Sequence, residues 1–129
     1  MAKTILIVED DPKNLTLFRD VLQVSGYSTI EATDGKQGVE LAKAKKPDLI
    51  LMDIQMPEMD GLEATQILKA DAITSNIPIL ALTAYAMKGD KERMLEVGCD
   101  GYLSKPVDIK EVLKEVAKYL SGLRKDVAS

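Results

Sequence analysis

Four carboxylates and one ammonium stand where short apolar runs end. Glu9-Asp10-Asp11 closes the run Ile5–Val8, Asp53 closes Leu49–Met52, and Ser104-Lys105-Pro106 follows Gly101–Leu103. Thr83-Ala84 closes a further run, Ile79–Leu82. If these runs are neighbouring strands, Glu9, Asp10 and Asp53 meet in one crevice. Like charges that close repel unless a cation or a raised pKa relieves them. An all-oxygen donor set without His or Cys favours a hard cation, Mg²⁺ above others, held by a few carboxylates and several waters. A fixed ammonium (Lys105) and a hydroxyl (Thr83) beside such a centre suit a phosphoryl group. The chemistry this implies is a carboxylate nucleophile attacking phosphorus to give an aspartyl phosphate. For Glu9-Asp10 alone, a solvated acidic loop explains the pattern as well; Asp53 at the end of a second buried run favours the cation.

The elements that must position these groups are legible in the same runs. Ile5–Val8, Leu49–Met52 and Ile79–Leu82 are apolar without alternation, which predicts strands buried on both faces. Tyr27–Ile30 and Gly101–Leu103 are weaker and suit outer positions of the same sheet. Helical patterns lie between them. Asp11-Pro12 opens a first helix carrying Leu15, Phe18 and Leu22, and Asp34-Gly35 a second through Val39 and Ala42. Asp60-Gly61 opens a third with Leu62, Ile67 and Leu68; a fourth, around Lys88–Val97, is poorly patterned. The fifth places Ile109, Val112, Leu113, Val116 and Leu120 on one face, with Asp108 as N-cap and Glu111 at capping-box spacing. The whole is an α/β (βα)₅ pattern, a three-layer sandwich with a five-stranded parallel sheet in the flavodoxin-like order 2-1-3-4-5. In that order the strand sequence reverses between strands 1 and 3, where Glu9, Asp10 and Asp53 lie.

Composition excludes other readings. The chain has 129 residues, the size of one domain, and no apolar run near the ~18 residues needed to cross a bilayer. The N-terminus lacks a signal-peptide core, so a cytoplasmic location is expected. The one cysteine, Cys99, fits a reducing compartment; with no predicted cationic neighbour, it reads as a packed residue and not a nucleophile. Acidic residues outnumber basic ones 21 to 17, which disfavours direct nucleic-acid binding. The chain has no histidine, which removes Ser-His-Asp and Cys-His catalysis and most zinc sites. No G-x-G-x-x-G or P-loop motif is present, and three consecutive carboxylates after the first strand would repel a flavin phosphate. The Met52, Met56 and Met59 group reads as packing.

Taken together, Ile7-Val8-Glu9-Asp10-Asp11, Leu51-Met52-Asp53-Ile54-Gln55-Met56-Pro57, Asp60-Gly61, Leu82-Thr83-Ala84 and Leu103-Ser104-Lys105-Pro106 resemble the motifs of the CheY-like receiver domain of two-component response regulators. The resemblance spans essentially the whole chain, with a receiver domain over 1–121 and a tail over 122–129. The stretch Ala81–Asp90 is most similar to receivers of hybrid histidine kinases and to lone, single-domain regulators of the DivK type. The resemblance implies Asp53 as phosphoacceptor. It implies Mg²⁺, with Mn²⁺ as a substitute, on Asp10, Asp53 and the Gln55 carbonyl, with Glu9 helping through water. Glu9 stands where many relatives have Asp. Lys105 and Thr83 would contact the phosphoryl group, and the Lys105–Pro106 bond would be cis.

The same resemblance implies a switch and not an enzyme. The donor is a phosphohistidine on a sensor histidine kinase or a histidine phosphotransfer protein, supplied in trans because this chain has no histidine. Thr83 and Tyr102 would carry the switch, and a downstream protein effector would read the surface of the fourth helix, fifth strand and fifth helix, where Lys88, Lys91, Lys110 and Lys114 stand. Gln55 and Tyr85 would flank the path of attacking water and tune dephosphorylation, a bulky Tyr85 giving a longer phosphorylated lifetime than in chemotaxis-type regulators. Two rival functions fit the residues less well. A haloacid-dehalogenase-type phosphatase needs D-x-D-x-[TV] after the first strand, which Glu9-Asp10-Asp11-Pro12 does not supply. A receiver-like module that never takes phosphate is disfavoured by intact Asp10, Asp53, Thr83 and Lys105.

Overall fold

The computed structural model describes residues 2–54, 59–84 and 88–120, with side chains from residue 92 onward in the last stretch. Strands and helices alternate: β1 (Thr4–Val8), α1 (Pro12–Val24), β2 (Ser28–Ala32), α2 (Gly35–Lys45), β3 (Leu49–Asp53), α3 (Gly61–Ala70), β4 (Ile79–Thr83), α4 (Lys88–Glu96), β5 (Gly101–Ser104) and α5 (Ile109–Leu120). The sheet is parallel throughout, in the order β2-β1-β3-β4-β5. Both the alternation and the order are those the apolar runs predict.

The unbroken apolar runs are explained by burial on both faces. Every residue of β3 and β4 is buried, as are Ile5–Val8 of β1. Alternate residues feed two separate cores. Leu6, Val8, Ile50, Met52, Ile79 and Ala81 pack with Val39 and Ala42 of α2, Ala64 and Leu68 of α3, and Met94 of α4. Ile5, Ile7, Leu49, Leu51, Leu80 and Leu82 pack with Phe18 and Leu22 of α1 and Val112 and Val116 of α5. Each fully buried Leu or Ile stabilises the fold by roughly 1.5–3 kcal/mol, which is why the three central strands dominate the core.

Aspartates open four of the helices. Asp11, Asp34 and Asp60 accept from the backbone N–H groups of Lys13 (2.9 Å), Gln37 (2.7 Å) and Glu63 (2.9 Å). Asp108 accepts from Lys110 N–H at 2.8 Å, so its carboxylate engages the second helical residue. Each cap satisfies a donor that the helix itself leaves free, worth about 1 kcal/mol.

Four strands run one residue beyond their apolar runs, with Thr4 before β1 and Asp53, Thr83 and Ser104 ending β3, β4 and β5, while β2 differs more. Tyr27 precedes β2 instead of opening it, and the strand runs on to Ala32. Gly26 has a φ of +97°, and the Tyr27 N–H closes the end of α1 on the Leu22 carbonyl at 3.0 Å. That amide is committed to the helix and has nothing left for the ladder. At the far edge, the Tyr119 hydroxyl of α5 donates to the Asp100 carbonyl at 2.9 Å. It does so across Gly101, where a Cβ would lie 2.5 Å from that hydroxyl.

Candidate functional site

The parallel register delivers the acidic groups to one rim. Val8 pairs with Met52 across β1 and β3, so Glu9 and Asp53, one residue further on, leave the sheet side by side. Glu9, Asp10 and Asp53 each present an oxygen within 4.8 Å of the others. Glu9 and Asp53 are buried and Asp10 is exposed, so the cluster is closed beneath and open to water above.

The fourth charge arrives from β5. Thr83 pairs with Ser104, and the Lys105 N–H donates to the Thr83 carbonyl at 2.7 Å. The Lys105–Pro106 peptide is cis, as the motif implies. The ammonium lies 3.0 Å from Asp53 Oδ1 and 3.7 Å from Glu9 Oε1. Thr83 is buried at the last position of β4, one residue beyond Leu82, the partner of Asp53.

Glu9 carries the electrostatic strain. One of its oxygens accepts from Asp11 N–H at 3.2 Å, while the other, Oε1, is buried without a hydrogen-bond partner. Its carboxyl is pushed up to about 8: burial contributes most, then contact with and repulsion by Asp53, against the opposing Asp11 N–H and Lys105. A buried oxygen without a hydrogen bond, beside a second buried carboxylate, is a donor set that a small hard cation would satisfy, so the residues present fit Mg²⁺.

The close approach of backbone fixes this geometry. The Ile54 N–H donates to the Leu82 carbonyl at 2.9 Å, and Gly61 N–H donates to the Ile54 carbonyl at 3.1 Å. At Gly61 a Cβ would stand 2.4 Å from the Asp53 carbonyl oxygen, so only glycine lets α3 start against the end of β3.

Among the residues singled out by sequence, Glu9, Asp10, Asp53 and Lys105 meet in the crevice, and Thr83 lies at its rim through the Lys105 backbone. Tyr102 sits apart, half-buried on β5 against the core shared by α2, α3 and α4. Gln55 and Tyr85 fall outside the described residues, as do Met56 and the side chains of Lys88 and Lys91. Lys110 and Lys114 are exposed on α5. Cys99 is buried, and burial pushes its thiol up; contrary to expectation it does have a cationic neighbour, Lys69, whose opposing effect is the weakest of those acting on it. A cleft of about 510 Å³ that no sequence pattern predicts lies beside Lys105, lined by Asn14, Leu17, Phe18, Ala84, Pro106 and Val107. Its one trace in the sequence is Leu17, an apolar residue outside the Leu15, Phe18 and Leu22 set of α1, and the structure leaves it 44% exposed.

The description "response regulator receiver domain" matches residues 5–117. This chain belongs to the response regulator receiver family. It is 48% identical to the polar-differentiation response regulator DivK of Brucella anthropi over 120 residues, covering 93% of this chain and 98% of DivK. DivK of Brucella ovis matches equally well, at 48% over the same length. Among solved receivers, chemotaxis protein CheY4 of Vibrio cholerae superposes with a TM-score of 0.88 at 28% identity, covering 93% of this chain and 100% of that one. The receiver domain of sensor histidine kinase PA1611 from Pseudomonas aeruginosa has a TM-score of 0.87 at 36% identity, covering 94% of this chain and 99% of that one. That receiver was solved with a magnesium ion coordinated in its active-site cleft. Membership supports phosphoryl acceptance in two-component signalling for this receiver too. No described helix is long and apolar enough to cross a membrane.

Proposed function

We propose that Asp53 accepts a phosphoryl group from a phosphohistidine presented in trans, and that the receiver signals by protein contacts as a cytoplasmic switch. The observation that carries this reading is the buried Asp53 carboxylate, 3.0 Å from the Lys105 ammonium within an all-oxygen acidic cluster. Asp53 is held by β3 and by the start of α3, so its oxygen is pre-positioned for in-line attack. As its O–P bond forms, the P–N bond to the donor imidazole breaks and that ring nitrogen takes the electron pair. Lys105 neutralises charge on the transferred group, and Thr83, at the rim, donates to one of its oxygens. Hydrolysis by water returns phosphate and restores the carboxylate.

Glu9, Asp10 and Asp53 would hold Mg²⁺, or Mn²⁺ in its place, with the Gln55 carbonyl as a further ligand. Bound there, the cation supplies charge neutralisation and orientation for phosphoryl transfer. Lys105 reaches both buried carboxylates, so the same ammonium balances the cluster before transfer and meets the phosphoryl group after it.

For output, the surface of α4, β5 and α5 is the face a protein effector would read. Thr83 ends β4 beside β5, and Tyr102 stands within β5, so a change at the rim has a short path to that surface. Gln55 and Tyr85 are assigned to tuning of dephosphorylation. The test is mass spectrometry after incubation with acetyl phosphate and Mg²⁺. The wild-type chain gains one phosphoryl group; Asp53→Asn gains none. A gain that persists in Asp53→Asn sinks the assignment.

A further inference from the structure

The connection from β3 to α3 is gripped at both ends by glycines from different elements. Gly61 holds the near end against the Asp53 carbonyl, as described above. Gly35, the first residue of α2, holds the far end: a Cβ there would lie 2.4 Å from the Met59 carbonyl oxygen and 3.0 Å from Met59 Cγ. Contacts under 3.0 Å are essentially never made by real Cβ atoms, and the oxygen met is backbone, so no side-chain rotation relieves it.

The α2 side of this contact has no room to retreat. The first turn of α2 is capped by Asp34, whose side chain accepts from Gln37 N–H at 2.7 Å and whose carbonyl accepts from Gly38 N–H at 3.0 Å. The same turn is seated on β1, where a Cβ at Gly38 would come within 2.8 Å of the Val8 side chain. At the other end, Ile54 is fixed by Leu82 and Gly61. A methyl group added at position 35 must therefore displace Met59, and the displacement passes through Asp60 to Gly61, which lies against the Asp53 carbonyl.

We infer that Gly35 is a positioning residue for the acidic crevice: the start of α2 sets the Met59 carbonyl and, through it, the backbone beside Asp53. This rests on the reading of Glu9, Asp10 and Asp53 as the Mg²⁺ site. Displacements of about 1 Å at positioned groups cost up to a hundredfold in function, so even a partly absorbed shift is measurable.

The experiment is calorimetric Mg²⁺ titration of the unphosphorylated chain, with thermal unfolding in chelator alongside. In Gly35→Ala the dissociation constant for Mg²⁺ rises at least fivefold, while the native fraction at the titration temperature stays complete. A merely structural role would shift unfolding and leave the affinity of the folded protein unchanged; affinity within twofold of wild type overturns the inference. Should Gly35→Ala fail to fold, Asp34→Ala takes its place. It removes the cap that seats Gly35, and at least a twofold loss of affinity is expected; no loss overturns the inference equally. Asp53→Asn separates the two readings. If it binds Mg²⁺ as wild type does, the site assignment itself is wrong. If it loses binding while Gly35→Ala and Asp34→Ala retain it, only the role of Gly35 falls.

Discussion

Lys69 Nζ and Asp100 Oδ2 meet at 3.0 Å at the end of the sheet opposite the acidic crevice. The same ammonium donates to the carbonyls of Ser75 (3.2 Å) and Ile77 (2.8 Å), and the same carboxylate oxygen accepts the Ile79 N–H at 2.8 Å. The Lys69 side chain is only 19% exposed. One pair thus ties the end of α3, the approach to β4 and the approach to β5 together.

Lys69→Met should therefore cost more than an ordinary surface lysine. It leaves three acceptors to find water in a partly covered place, and a loss of about 1–3 kcal/mol in urea unfolding is expected. Mg²⁺ affinity should be unchanged, because the pair sits at the other end of the strands. A variant as stable as wild type would show that the bracket contributes nothing.

Lys105→Met separates two roles of one side chain. The ammonium that lies 3.0 Å from Asp53 competes with a cation for the same oxygens. Removing it should leave Mg²⁺ binding as tight as in wild type or tighter. Phosphorylation by acetyl phosphate should slow at least tenfold, because the charge on the transferred group loses its partner. Calorimetry and timed mass spectrometry read the two effects separately.

The pH dependence of the metal-free fold follows from Glu9. Its carboxyl is raised from the ordinary 4.5 to about 8 in the folded chain. Between those values the folded state holds a proton that the unfolded state has released, so stability is present at low pH and is lost as pH rises through this window. In chelator, the loss from pH 5 to pH 8 should be on the order of 1–3 kcal/mol more for wild type than for Glu9→Gln. The two proteins should be close at pH 5 and diverge by pH 8, with the glutamine variant the more stable. Parallel urea-unfolding curves across the range would remove Glu9 as the cause.

Cys99 should resist alkylation in the native state. It is 5% exposed and its thiol is held above its ordinary pKa by burial, so the reactive thiolate is scarce as well as covered. Iodoacetamide labelling at pH 8 should be at least tenfold slower than in urea. Equal rates would mean that the region around Thr65 and Cys99 opens readily.

Much of this was legible in the sequence, for one physical reason. Strands buried on both faces write themselves as continuous apolar runs, and Glu9, Asp53 and Thr83 announce themselves by ending such runs. Parallel register then forces them to one rim. What the sequence could not convey was depth: Glu9 and Asp10 are adjacent, yet Glu9 is buried with one oxygen that makes no hydrogen bond and Asp10 is exposed. Nor could it show Lys69 turned inward, because a lysine in the last turn of a helix reads as solvated. The contact of Gly35 with Met59 was hidden in a different way. Asp34-Gly35 is fully accounted for as a helix start, so nothing in the pattern asks for a second reason for the glycine. Tyr27 was misplaced because a helix end and a strand start compete for the same amide.

The packing of Tyr119 across Gly101 has an optical consequence. The chain has four tyrosines and no tryptophan, so its near-ultraviolet absorption and emission belong to tyrosine. Tyr102 lies within β5 and Tyr119 rests against its first residue. Among the described residues, two of the three tyrosines therefore lie in or against a single edge strand, and the unlabelled protein carries its own spectroscopic reporter of that strand.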